Sequence, residues 1–251
     1  MNLGLKVDLN NLRKNFDIAD FKHGKSSYCF IIGEYIVKVY ARKKDGVYPE
    51  NVCNFSKYEA NTIVYPLMYI KDKGVIAAEV SKVINSKDIT ESFNDDASLD
   101  VISNSFDIVV NDLYTYSDIR MNDLCSANIL FSNELGFHII DTTEWEEKTG
   151  SLNYNLRRLN MALISVFKDN LEIPIIYSLY YNKIDDNFYQ NMTQFGNPGK
   201  RLQESMDLIM NDRFNFLKLL YALIDVYRVY SGNDPKSLGD VKKIVKVLRN
   251  S

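Results

Sequence analysis

Two acidic residues and one carboxamide, Asp123, Asn128 and Asp141, stand at spacings that suit divalent-metal and proton-transfer chemistry. Asn128 leads into the apolar run Ile129 to Ser132, and Asp141 follows Phe137 to Ile140, with the turn Asn133-Glu134-Leu135-Gly136 between them. A hairpin symmetric about that turn sets Ser132 against Phe137, Ile129 against Ile140, and Asn128 against Asp141. Cross-strand partners hold their Cβ atoms roughly 4.5–5.5 Å apart, close enough for an amide oxygen and a carboxylate to share a cation. Mg²⁺ suits the pair, because it takes few protein oxygens and completes its octahedron with water and phosphate. Asp123 lies in the loop leading into the same end of the hairpin, where it can accept a proton from an attacking hydroxyl.

The elements that must position these groups change character along the chain. Tyr28 to Ile32 and Tyr35 to Tyr40 are β-branched and aromatic runs split by Gly33-Glu34, a two-residue hairpin signal. Thr62 to Ile70 and Val75 to Ile84 form a second strand pair around Lys71-Asp72-Lys73-Gly74. Pro66 within the first of these predicts an edge strand or a bulge. Tyr48 to Tyr58, with Pro49 in its first turn, reads as a short helix between the pairs. The polar stretch Asn85 to Ser98 reads as a linker or hinge. Then Leu99, Ile102, Phe106, Val109 and Leu113 recur at helical spacing. Beyond the compact region Arg120 to Glu147, helices are expected over Leu152 to Phe167, Arg201 to Tyr230 and Leu238 to Leu248. The expected layout is α+β: a small antiparallel β-rich N-lobe over 1–84, a linker over 85–98, and a mostly helical C-lobe over 99–251 that carries the hairpin of 120–147. A cleft between two such lobes is where a ligand belongs.

Asp123-Leu124, then Asn128-Ile129-Leu130, then Ile139-Ile140-Asp141 resembles the catalytic loop and metal-binding Asp of the protein-kinase superfamily, which includes the aminoglycoside-phosphotransferase-like small-molecule kinases. The whole chain is most similar in style to divergent bacterial protein-kinase-like domains. The resemblance implies a two-lobed kinase-like fold and an ATP- and Mg²⁺-dependent phosphotransferase. Asp123 would be the catalytic base, and Asn128 and Asp141 would hold Mg²⁺. Lys38, in Tyr35-Ile36-Val37-Lys38-Val39-Tyr40, would be the strand lysine that reaches the nucleotide phosphates, with its flanking valines turned to the opposite face. Phe21 to Phe30 takes the place of the glycine-rich loop; Gly24 is its one glycine, so a phosphate cradle would add Ser26 or Ser27. Glu50 and Glu59 are candidate partners for Lys38, with Glu50 preferred because Glu59 falls almost at the next strand. Val80 to Ile84 would face the adenine, with Val83 as a contact.

The match departs from the superfamily pattern at named places. Met121 and Asn122 stand where His and Arg precede the catalytic Asp, and Asp141 is followed by Thr142-Thr143-Glu144-Trp145 instead of Phe-Gly. The next helix begins near Leu152, so the segment that would carry a peptide-docking platform is short. The expected acceptor is a hydroxyl of a protein Ser/Thr or of a small molecule, with a slight lean to protein. The alternative is a pseudokinase that serves as a nucleotide-binding or protein-interaction module.

Composition narrows the rest. The 251 residues are 46% hydrophobic and 25% charged, the profile of a globular domain with a sizeable core. A net charge of -3 gives no electrostatic case for nucleic acid or an anionic membrane. No apolar run spans a bilayer, and Met1 to Leu12 lacks the continuous apolar core of a signal peptide, so a cytoplasmic location is expected. Three cysteines at wide spacing match neither a disulfide framework nor a zinc site, and only His23 and His138 are available to a histidine-rich metal centre. Cys125 has no basic sequence neighbour to activate it. His138 and Trp145 read as packing.

Overall fold

The computed structural model describes residues 6–23, 27–41, 60–143, 145–168 and 231–243, together with 216, 220, 221, 224, 227 and 228. The described residues form a mixed α and β architecture with three antiparallel sheets. The largest sheet has five strands: β1 (Phe21–His23), β2 (Ser27–Ile32), β3 (Tyr35–Tyr40), β4 (Met68–Asp72) and β5 (Val75–Lys82), in the order β1-β2-β3-β5-β4. Gly33 and Glu34 close the β2–β3 hairpin between the paired Ile32 and Tyr35, with Gly33 at a φ of 61°. Pro66 precedes β4, which is an edge strand whose register shifts between Ile70 and Lys71. A proline there removes no ladder hydrogen bond.

One face of this sheet buries Val37, Val39, Ala78, Val80 and Phe30 against α1 (Leu9–Lys14) and the turn that follows it. Asp8 caps α1 by accepting from the backbone N–H groups of Asn10 and Asn11. Because side chains alternate across a strand, burying Val37 and Val39 on this face turns Lys38 to the other.

A second, larger cluster gathers around α3 (Leu99–Thr115). The helical stripe of Leu99, Ile102, Phe106, Val109 and Leu113 is buried throughout. The spacing predicts the helix and its apolar face; in the structure that face packs on the hairpin β8 (Ile129–Ser132) and β9 (Gly136–Ile139) and on α4 (Leu152–Lys168). The stretch 85–98 is more ordered than a linker. It contains β6 (Lys87–Asp88), paired with β8, and the short helix α2 (Ile89–Ser92), capped by Asp88. Two-residue strands carry no periodicity, so polarity alone hid them. The expected helix over 48–58 and most of that over 201–230 lie outside the described residues.

Two buried polar side chains lock the chain around the hairpin. The Asp112 carboxylate, on α3, accepts from the backbone N–H groups of Asn61 and Thr62 and from the Thr62 hydroxyl. Residues 62–64 then pair with the end of β9: Ile139 N–H donates to the Thr62 carbonyl at 2.7 Å, and Val64 N–H to the Ile139 carbonyl at 2.8 Å. Asn155, on α4 and fully buried, accepts from Met121 N–H and donates to the Ile119 carbonyl, fixing the start of the 121–128 loop. β7 (Ile119–Arg120) and β10 (Glu146–Glu147) close a two-stranded ribbon around that loop.

Candidate functional site

Lys38 reaches across from the five-stranded sheet to the end of the β8–β9 hairpin, where its ammonium donates to Asp141 Oδ1 at 2.6 Å. Both side chains are mostly buried, each 14% exposed. Burial alone would lower the lysine pKa. The Asp141 charge, and after it that of Glu79, more than offset this and hold the pKa above the ordinary lysine value. Asp141 has a φ of 60°, in the left-handed region. Among non-glycine residues Asp and Asn tolerate that conformation best, and it turns the chain sharply just after β9.

The Lys38–Asp141 pair lies in a cleft between the sheet and the hairpin. Ile36, Val64, Ser81, Ile84, Leu130 and Ile140 contribute to its wall. The wall is mostly apolar, with Ser81, Lys82 and Thr142 also on it, and Lys38, Glu79 and Asp141 supply its acidic and basic cluster. A mostly apolar slot with a few convergent charged groups is how small-molecule sites are built.

The hairpin register differs by one residue from the symmetric expectation. Ser132 pairs with Gly136, Phe131 with Phe137 and Ile129 with Ile139, so the connection is the three residues 133–135. Gly136 carries a φ of 71°, and a Cβ there would fall 2.4 Å from the Cβ of Ser105 on α3, so no other residue fits. The glycine is thus a strand residue pressed against a helix, not the last residue of a four-residue turn. Asn128 consequently faces Ile140, whose N–H donates to the Asn128 carbonyl at 2.9 Å, and Asp141 lies one position beyond direct opposition.

Asn128 is buried and turns its amide nitrogen to Asp123, donating at 2.9 Å to both the backbone carbonyl and Oδ2. Two acceptors fix the amide orientation and point its Oδ1 away from Asp123. Asp123 and Asn128 therefore act as one unit, at the same end of the hairpin as Asp141. Among the described residues, no group of three or more His, Cys, Asp and Glu side chains could hold a metal ion. The hard-oxygen donors Asn128 Oδ1 and the Asp141 carboxylate suit a cation that takes most of its ligands from phosphate and water.

The remaining expected site residues fall as follows. Gly24, Ser26, Glu50 and Glu59 lie outside the described residues. Ser27 is a buried strand residue opposite Tyr40, at the foot of the β1–β2 hairpin, and not part of a loop. Val83 follows β5, and its N–H already donates to the Glu34 carbonyl at 2.9 Å, so Ser81, Lys82 and Ile84 line the cleft instead. Trp145 is buried edge-on to Tyr116, as packing. Cys125 has a basic neighbour after all, Arg158 from α4, but burial and then Asp123 dominate and raise its pKa.

Three residues of the site escape sequence reading: Glu79, Tyr40 and Thr143. Glu79 is buried and sits directly across the ladder from Lys38. Its carboxylate accepts from the Tyr40 hydroxyl at 2.5 Å and lies 2.8 and 3.0 Å from the Thr143 hydroxyl, which is also 3.2 Å from Asp141 Oδ1. The available signal was an acid inside the otherwise apolar strand Val75-Ile76-Ala77-Ala78-Glu79-Val80, because buried carboxylates are retained only with partners. Burial, followed by the Glu79 charge, pushes the Tyr40 phenol far above its usual value.

No protein-family model matches the chain, and no curated protein matches it.

Proposed function

We propose that this chain is a protein-kinase-like phosphotransferase that takes ATP with Mg²⁺ into the cleft and passes the γ-phosphoryl group to a hydroxyl of a protein Ser/Thr or a small molecule. The observation that carries this reading is the Lys38–Asp141 contact: a strand lysine and an acid 103 positions apart meet at 2.6 Å in a mostly apolar slot. Two separate buried clusters, one beneath the five-stranded sheet and one around α3, support a two-lobed arrangement with the cleft between them.

In this reading the apolar wall receives the adenine, and Lys38 supplies a fixed positive charge for the phosphates. Asp141 and Asn128 Oδ1 would hold the Mg²⁺, which when bound neutralises charge on the β- and γ-phosphates. Asp123 accepts the proton of the attacking hydroxyl, and its contact with Asn128 keeps the carboxylate aimed. Asp112, through residues 61–64, and Asn155, through Met121, hold the two chain segments that present these groups.

Transfer of label from γ-labelled ATP, to the protein itself or to a generic hydroxyl acceptor, tests the reading. Asp123→Asn should reduce transfer about 100-fold or more while leaving the fold intact. Equal labelling by wild type and variant would remove Asp123 from this role. The nucleotide-binding pseudokinase remains as a second reading, because Lys38 and Asp141 neutralise each other and must part before phosphates enter. Saturable Mg²⁺-dependent ATP binding without any transfer selects it.

A further inference from the structure

We infer that Glu79 is a positioning residue for Lys38: the lysine exchanges Asp141 for Glu79 when nucleotide phosphates arrive. This rests on the nucleotide site proposed above and names a residue which that proposal does not use.

Three observations carry it. Glu79 on β5 stands directly opposite Lys38 on β3, with its side chain on the cleft side of the sheet. It is a buried carboxylate whose two oxygens take hydroxyl hydrogen bonds from Tyr40 and Thr143, leaving it within electrostatic reach of the Lys38 ammonium. The Thr143 hydroxyl stands between the two acids, close to Glu79 and 3.2 Å from Asp141 Oδ1.

The physical need is specific. A lysine 14% exposed cannot be left without a counter-charge when its partner turns away. If Asp141 takes up a cation with the phosphates, Lys38 turns to Glu79 on one side and to the phosphates on the other. Tyr40 and Thr143 hold that carboxylate in place, so the lysine swings between two prepared acceptors rather than searching for one. Thr143 can donate to either acid and so hold Asp141 as the lysine leaves.

Calorimetric titration of full-length protein with ATP plus Mg²⁺, and separately with adenosine, tests the assignment. In Glu79→Gln the Kd for ATP with Mg²⁺ should rise about tenfold, while that for adenosine stays within about twofold. Adenosine shares the slot but has no phosphates for Lys38 to meet. An equal rise for both ligands would show a merely structural role, and no rise for either would remove Glu79 from the site. Both results overturn the inference with the nucleotide site intact. Failure of the wild type to bind either ligand would overturn the site as well. Should Glu79→Gln fail to fold, Thr143→Val carries the same test. It should weaken ATP binding selectively, and a ligand-independent or absent effect would again overturn the inference.

Discussion

Lys38 is the residue on which the site turns. Its neighbours in sequence are valines buried against α1, so alternation alone aims it at the cleft. Replacing it with methionine keeps the stem and removes the charge. Lys38→Met should therefore abolish measurable phosphoryl transfer and also lower the melting temperature, since it leaves the mostly buried Asp141 carboxylate without its counter-charge; the double variant Lys38→Met with Asp141→Asn should recover most of that loss. An unchanged melt in the single variant would show that Asp141 does not depend on the lysine. Cys29 lies on β2 directly opposite Lys38, and its thiol pKa is pushed up to about 12, chiefly by burial. It should resist alkylation at pH 8 in the native protein and label readily only after denaturation. Rapid native labelling would contradict the burial of this strand. His138 on β9 has its pKa lowered, chiefly by burial. The unfolded chain then binds a proton more readily than the folded one. Stability contributed by this residue is present above pH 6.5 and is lost as pH falls from there toward the folded value. Substitution by Gln should flatten that part of the stability–pH curve, measured by urea unfolding at successive pH values.

At the scale of elements, the hairpin shows what a sequence can and cannot fix. Two apolar runs, a turn and a following acid are enough to place β8, β9 and Asp141 at one end. The register depends on Gly136 meeting Ser105, a contact across 31 positions that no local pattern reveals. Gly136→Ala adds a methyl group into α3 at a left-handed position. It should destabilise the fold by roughly 2–4 kcal/mol in urea unfolding. A change within ~0.5 kcal/mol would mean that the hairpin does not press on α3. Helix α3 was legible because its five-residue apolar stripe repeats strongly over 17 residues. The pair β6 and α2 was not, since six residues hold too little periodicity to read. Asn155 belongs to the same lesson. An asparagine within an amphipathic helix reads as surface, yet here it is fully buried and satisfies Met121 N–H and the Ile119 carbonyl. Asn155→Ala leaves both groups unpaired and should cost about 2–4 kcal/mol, with the 121–128 loop losing amide-exchange protection first.

The whole molecule brings together groups that the chain keeps far apart. The five-stranded sheet supplies Lys38 and Glu79, the hairpin supplies Asn128 and Asp141, and segment 61–64 ties one to the other through Asp112. That Asp123, Asn128 and Asp141 come to one end of the hairpin was readable because they lie within 19 residues of one another. Glu79 and Thr143 were not, because their meaning exists only once β3, β5 and the turn after Asp141 face a common cleft. No described helix is long and apolar enough to cross a membrane, and α3 and α4 both contribute buried residues to the larger core. The proposed site requires a cation held by Asp141 beside phosphates that Lys38 attracts. Calorimetric ATP titration with and without Mg²⁺, in wild type and in Asp141→Asn, measures this most directly. The prediction is a Mg²⁺-dependent gain in affinity of about tenfold or more for wild type, lost in the variant. The same gain in both proteins, or none in wild type, would contradict it.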